Sequence, residues 1–486
     1  MSKTTKNLFL NISYQIFSIL VPLITAPYIA RVMTPHEIGI YSYSSSFAGY
    51  ISVFMLLGIS NYGSRTIAMN LQKTKLELSK VFWEMYAFQG FSSLLGITAF
   101  LIAIPFLDPL YRPAVFAQIF LLLSVALDIS WFFMGKGQFK VAVVRGSVTK
   151  VLQLIAIFLI VKSPNDLLWY VLIMSAGSLI GNVLLWVVAL RQISCCRISF
   201  GNIVSHIKPN LVLFLPLLAS SVFVYIDKIM LGSLSNTVDL GWYDYAEKIV
   251  RIPLTVISAI GAVMMPLISS IVAQKDSTNE GRYMIASMRY VSLFASISFF
   301  GILSISPEFV LLYFGESYTE CGGLMQMMAA IILFSAFANI LRTQYLIPQK
   351  KDRAYVLSIA SGAVVNVFLN ALLIPHMGGM GAALGTVGAE LFVFVSHLVA
   401  TRKALPLGKY VFEWFFALLC GLIAFLIMEA ITPLFDNIYW RFGVGFVVGV
   451  TVYLILAVLC LLCRKDQMLQ DAIERIKSKG NRRKDT

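Results

Sequence analysis

Runs of about 20 apolar residues recur from Leu8 to Cys463 with short polar breaks between them, and a helix of that length crosses the roughly 30 Å hydrocarbon core of a bilayer. The pattern predicts about fourteen transmembrane helices. A first group of six falls at about 8–31, 38–60, 81–105, 114–134, 141–161 and 167–190. A second group follows at about 210–232, 241–265, 284–304, 323–347, 353–374 and 380–401. Two more, near 411–431 and 440–463, close the series.

The two groups repeat each other's landmarks. The segments "SPNDLLWYVLIMSAGSLIGNVLLWVVALR" and "IPHMGGMGAALGTVGAELFVFVSHLVATR" both begin just before a proline, pass through small residues and end in arginine, with Pro164 to Arg191 and Pro375 to Arg402 equally spaced. "VPLITAPYIARVMTPHEIGIY" likewise parallels "LPLLASSVFVYIDKIMLGSLSNTVDLGWY", each a proline-bearing helix, a link, and a Gly-x-Tyr that opens the next helix. An even number of spans per repeat gives the repeats one orientation, and such parallel halves with a central cleft are a transporter architecture. The expected fold class is therefore all-α and polytopic. A six-helix lobe is expected at 1–195, a second at 196–405, two additional spans at 406–463 and a basic cytoplasmic tail at 464–486.

Composition supports the membrane reading, with 58% hydrophobic and only 13% charged residues. The net charge of +14 could point to nucleic acid, but the basic residues alternate by loop. Arg65, Lys73, Lys136, Arg191, Lys208, Lys275, Lys350 and Arg402 fall on one side, whereas Asp108, Asp166, Asp239, Glu308, Glu316 and Asp436 mark the other. The positive-inside rule then places both termini in the cytoplasm and leaves no reason to invoke nucleic acid. Cys195 and Cys196 fall in a cytoplasmic loop and Cys460-x-x-Cys463 lacks further ligands, so neither a disulfide framework nor a metal site is expected.

No catalytic residue or nucleotide motif stands out. Gly378, Gly379, Gly381, Gly385 and Gly388 enter a membrane helix and read as packing positions, with Gly381 and Gly385 in GxxxG spacing. The chemistry lies in ionisable residues inside spans, each of which costs about 2.5–3.5 kcal/mol at mid-bilayer. Arg31 ends the first helix, Asp227 and Lys228 lie near the outer end of the seventh, and Glu247, Lys248 and Arg251 lie in the outer part of the eighth. Glu390 is near the middle of the twelfth, with His397 about two turns further along.

Asp227 and Lys228 point about 100° apart and cannot serve one direction. Glu247 and Arg251 can bridge along one helix face, and structural pairing competes with substrate contact throughout this set. Arg31 can equally snorkel to the interface, and His397 reads as a helix-packing residue. Glu390 must be paired, protonated or lining a cavity.

The stretches "PYIARVMTPHEIGIYSYS", "DISWFFMGKGQF", "DKIMLG" and "YLIPQKKDRAYVLSIASGAVVNVFLNALLIPHMGGMGAALGTVGAE" resemble, in this order, the Wzx-type polysaccharide-repeat flippases of the multidrug/oligosaccharidyl-lipid/polysaccharide exporter superfamily. The resemblance spans nearly the whole chain. It implies movement of an undecaprenyl-diphosphate-linked oligosaccharide across the bacterial cytoplasmic membrane, for capsule, O-antigen or another surface polysaccharide. Membrane lipids and a polysaccharide polymerase or other chain-assembly proteins are the implied partners.

On this reading Arg31, Lys228 and Arg251 form a cationic rim or cavity for the diphosphate, and Asp227 and Glu247 are supporting carboxylates. Glu390 is the candidate coupling residue. No cofactor is expected beyond coupling to a proton or sodium gradient. A drug/cation antiporter or a lipid II flippase of the same superfamily is the alternative, with a membrane glycosyltransferase or polysaccharide polymerase less favoured because no large outer loop is present.

Overall fold

The computed structural model describes residues 3–464, with side chains from Phe17 onward apart from Ile19, Phe200 and Ser277. The expected basic tail lies outside the described residues beyond Arg464. The described chain is helical, without strands. Twelve of its helices are long and apolar enough to cross a bilayer.

Two differences separate this count from the fourteen expected spans. The first helix, Lys3–Val32, enters the described apolar segments only as the shorter stretch Leu20–Val32. The spans expected at 353–374 and 380–401 form one 50-residue element, Asp352–Thr401, which turns at Gly378. Gly378 has φ 53° and ψ −131°, a conformation that only glycine adopts without strain.

The fourth expected span is broken into Arg112–Ala117, Ile119–Ala126 and Ser130–Gly135. A broken helix at membrane depth must satisfy its freed carbonyls from within the protein. Gln89 does much of this: its Nε2 donates to the carbonyls of Val125 at 3.2 Å and Asp128 at 2.9 Å, while its Oε1 accepts from Trp131 Nε1 at 2.9 Å. Trp186 Nε1 donates to the Leu127 carbonyl at 3.0 Å. Around them Phe82, Trp131, Phe132 and Phe133 make a fully buried aromatic core, with Met85 packed among them.

The chain divides into two units. The first holds the chain up to Tyr245 with Tyr313–Cys321 and Ile359–Ala389, and the second holds Ala246–Leu312, Gly322–Ser358 and the chain from Glu390.

In the first unit, the helices Pro35–Leu56 and Thr237–Ala273 cross at their N-terminal turns. A Cβ on Gly39 would lie 1.8 Å from the Thr237 carbonyl oxygen, and one on Gly241 would lie 2.0 Å from the Pro35 carbonyl oxygen. Each glycine thus packs against the residue four positions before the other. This reciprocity is what a two-fold relation between repeats produces, and it explains why both Gly-x-Tyr landmarks carry glycine.

In the second unit, Leu407–Ile431 and Ile438–Cys463 dock on Ser277–Tyr313. Ser296 Oγ donates to the Ala417 carbonyl at 2.7 Å and Tyr453 OH to the Leu293 carbonyl at 2.6 Å. An apolar cavity of about 250 Å³, lined by Phe300, Phe425, Met428, Phe446 and Tyr453 among others, lies along these helices.

Candidate functional site

Asp227 and Lys228 occupy a helix whose geometry changes just before them. Ile207–Ser221 contains Pro216, which removes one backbone donor, and continues into a π-helical turn at Val222–Ile226. Asp227 then opens the helix Asp227–Leu234. The wide turn adds a residue to one helical turn and so re-aims the side chains that follow.

Asp227 is 1% exposed. Its carboxylate accepts from Asn370 Nδ2 at 2.6 Å, Thr386 Oγ1 at 2.8 Å and Tyr243 OH at 3.1 Å. One carboxylate therefore joins four membrane segments through donors that satisfy its buried charge. Glycine makes the close approach practicable, because a Cβ on Gly385 would lie 2.0 Å from Asn370 Oδ1.

Lys228 Nζ lies 2.6 Å from Asp244 Oδ1, with the lysine and aspartate side chains 14% and 4% exposed. The same Oδ1 accepts from Ser42 Oγ at 3.0 Å. Asp227 and Lys228 thus engage different partners, as their angular separation on the helix requires. A second polar link in this unit runs from Ser235 Oγ to Asp239 Oδ2 at 2.6 Å, beside Gly378.

Arg31 is exposed at the end of Lys3–Val32, where its Nη1 donates to the Pro27 carbonyl at 2.9 Å. Arg31, Asp227 and Lys228 all belong to the first unit. Glu247, Arg251 and Glu390 belong to the second.

There Arg251 Nε donates to Glu247 Oε1 at 2.7 Å along one helix face, so this pair has the structural bridge its spacing allows. Glu390 Oε2 accepts from Ser335 Oγ at 2.6 Å. His397 is 1% exposed, and its ring nitrogens have no hydrogen-bond partner among the described residues.

Sequence reasoning did not single out Asp244, Ser42, Tyr243, Asn370 or Thr386. Asp244 stands three residues after Gly241, and Ser42 three residues after Gly39. Aligning the two Gly-x-Tyr landmarks would have paired them. Asn370 and Thr386 are neutral residues on apolar helices and carry no charge signal.

A family model described as polysaccharide biosynthesis protein matches residues 4–272. A Shigella dysenteriae protein described as an O-antigen transporter is 24% identical over 79% of this chain and 96% of its own length. A Haloferax volcanii protein described as a low-salt glycan biosynthesis flippase is 25% identical over 47% of this chain and 48% of its own length. Among solved structures, the lipid II flippase MurJ in an inward closed conformation matches with a TM-score of 0.73 at 17% identity, covering 93% of this chain and 99% of that one. This last likeness establishes a shared multi-helix membrane fold.

Proposed function

The chain belongs to the polysaccharide biosynthesis protein family, and from that premise we propose that it moves an undecaprenyl-diphosphate-linked oligosaccharide across the bacterial cytoplasmic membrane by alternating access. The observation that carries the chemistry is the Lys228–Asp244 pair. An ammonium held on a membrane helix by a close carboxylate can serve as a reversible anion site. A diphosphate oxygen can take the place of Asp244, whose carboxylate keeps its bond from Ser42 while Lys228 turns to the cargo.

The described O-antigen and glycan transport of the two relatives supports a cargo of this class. The diphosphate supplies the charge, the glycan needs a polar surface, and the polyprenyl tail needs an apolar one. Arg31 contributes a planar guanidinium suited to two phosphate oxygens at once, and Arg251 with Glu247 contributes a second, separately testable contact. Both termini then face the cytoplasm, and a polymerase or chain-assembly protein receives the product outside.

Coupling to an ion gradient is one way to drive release of cargo. For a proton gradient, Glu390 is the candidate carrier, with Ser335 as its hydrogen-bond partner. For a sodium gradient, the fitting donors are the Asp227 carboxylate, the Thr386 and Tyr243 hydroxyls and Asn370 Oδ1, which is buried without a hydrogen-bond partner among the described residues. Bound there, a cation would neutralise the carboxylate and release its donors, which would loosen the join between helices.

The deciding experiment deletes the gene and identifies the lipid-linked glycan that accumulates inside the cell. A polysaccharide repeat unit supports the proposal. Accumulated lipid II with normal surface polysaccharide would reassign the protein to peptidoglycan precursor transport, and a drug-sensitive strain with neither defect would favour the antiporter.

A further inference from the structure

The second unit carries a charge cluster remote in sequence from these sites. Glu413, 4% exposed at its side chain, accepts from two arginines at once. Arg289 Nε and Nη2 approach its two oxygens at 3.0 Å each, and Arg464 Nη1 and Nη2 approach them at 2.6 and 2.7 Å. The arginine side chains are 17% and 20% exposed. Two largely buried guanidiniums thus share one carboxylate. The Arg464 guanidinium also lies 5.2 Å from the ring centroids of both Phe412 and Phe416.

A cavity of about 320 Å³ opens beside this cluster, lined by Ile285, Gly408, Lys409, Phe412, Glu413 and Arg464. Lys409 is exposed at its rim and adds a second positive charge. Gly408 and Lys409 lie in the first turn of Leu407–Ile431, Arg464 ends Ile438–Cys463, and Arg289 lies in the first half of Ser277–Tyr313. The site therefore sits at one end of three membrane helices, on the side whose loops are basic.

We propose that this cavity binds the phosphate of an anionic phospholipid headgroup, held between Arg464 and Lys409. Arg464 keeps N–H groups beyond the two used on Glu413, and Lys409 presents a flexible ammonium. Glu413 fixes the Arg464 fork so that little freedom is lost on binding. Basic pockets between membrane helices on the cytoplasmic side are where anionic headgroups dock, and Ile285 and Phe412 offer an apolar edge to the glycerol and upper acyl chains. The cavity shares no lining residue with the proposed cargo contacts, and its proposal stands whether or not that reading holds.

Native mass spectrometry of the purified full chain, titrated with phosphatidylglycerol or phosphatidylcholine in detergent, tests this. We expect selective retention of phosphatidylglycerol, weakened about fivefold by Lys409→Gln, in keeping with the contribution of one basic residue near an anionic lipid. Arg464→Gln should weaken it at least as much. Lys409→Gln leaves the Glu413 cluster intact, so it separates binding from damage to the fold. Equal retention of both lipids, or unchanged phosphatidylglycerol binding in Lys409→Gln, would overturn the proposal. So would titration with inorganic phosphate that saturates the site at concentrations where phosphatidylglycerol does not bind, since the source would then be free phosphate.

Discussion

Ser42 Oγ donates to Asp244 Oδ1 at 3.0 Å, joining two positions that stand three residues beyond the crossing glycines Gly39 and Gly241. The two helices therefore meet through reciprocal backbone approaches but unlike side chains, a hydroxyl from one and a carboxylate from the other. The asymmetry gives Lys228 its counter-charge. A carboxylate on both sides would place two negative charges together, and a hydroxyl on both would leave the lysine without this ion pair.

Breaking that pair should be worse than removing it. Truncating one partner of a buried ion pair costs on the order of 3–5 kcal/mol, and the partial exposure of Lys228 places this case at or below the lower end. Asp244→Asn and Lys228→Met are each expected to lower the thermal midpoint of the purified protein. The double variant should recover part of that loss. If the two losses simply add, the pair does not act as a unit.

The glycine crossing makes a steric prediction. Gly39→Ala and Gly241→Ala each place a methyl group within 2.0 Å of a carbonyl oxygen on the opposing helix, so the helices must separate. Overpacking of this kind costs about 1–3 kcal/mol. Both variants should melt earlier, and the double variant should lose less than the sum because one separation relieves both clashes. Gly90→Ala, where a methyl would meet nothing within 4 Å inside the helix Lys75–Ala103, is the control and should melt no earlier than the parent.

The sequence made the membrane class and the ionisable residues legible because each is written in composition and period. Apolar runs of membrane length report a span whatever packs around them. The break in the fourth span was not legible, since "LLLSVALDISWFFMG" is a largely apolar run with one charge, Asp128, and the side chains that meet its freed carbonyls, Gln89 and Trp186, lie far away in sequence. For the same reason the partners of Asp227 were hidden: Asn370 and Thr386 are 143 and 159 residues away, and neither announces itself by charge. The Glu247–Arg251 bridge was readable because both its ends lie on one helix.

Coupling gives opposed expectations for Asp227 and Glu390. If sodium drives transport through the Asp227 cluster, replacing potassium with sodium should raise the thermal midpoint of the parent and not of Asp227→Asn or Thr386→Val. If protons act through Glu390, Glu390→Gln should uncouple transport from the pH gradient while leaving the sodium response intact. Normal transport by well-folded Glu390→Gln across pH and ion gradients would remove Glu390 from the mechanism.

Topology is checked by single cysteines in a cysteine-free background of the full chain, whose six native thiols must first be replaced. A cysteine at Glu316 should react with an impermeant reagent in intact cells, and one at Lys350 should react only after permeabilisation. The expectation rests on the alternation of basic and acidic loops. Labelling of the Lys350 position from outside would invert the map and move the Arg464 cavity to the outer face.

The cargo contacts are tested by Arg31→Ala, Arg31→Lys, Lys228→Ala and Arg251→Ala at matched membrane abundance, scoring surface polysaccharide and accumulated lipid-linked units. Lys228→Ala removes the ammonium that a diphosphate would take from Asp244, and export should fall at least tenfold, equivalent to about 1.4 kcal/mol, within the range of one charge-assisted hydrogen bond. Arg31→Ala should impair export, and Arg31→Lys should restore part of it because charge returns without the two-pronged geometry. Arg251→Ala leaves Glu247 without its bridge on the same helix, so protein abundance must be measured beside export. A purely structural role predicts loss of protein in step with loss of export, whereas normal abundance with blocked export assigns the residue to cargo. Full export by all three alanine variants would remove the cationic contacts from the mechanism and leave the diphosphate to be recognised elsewhere.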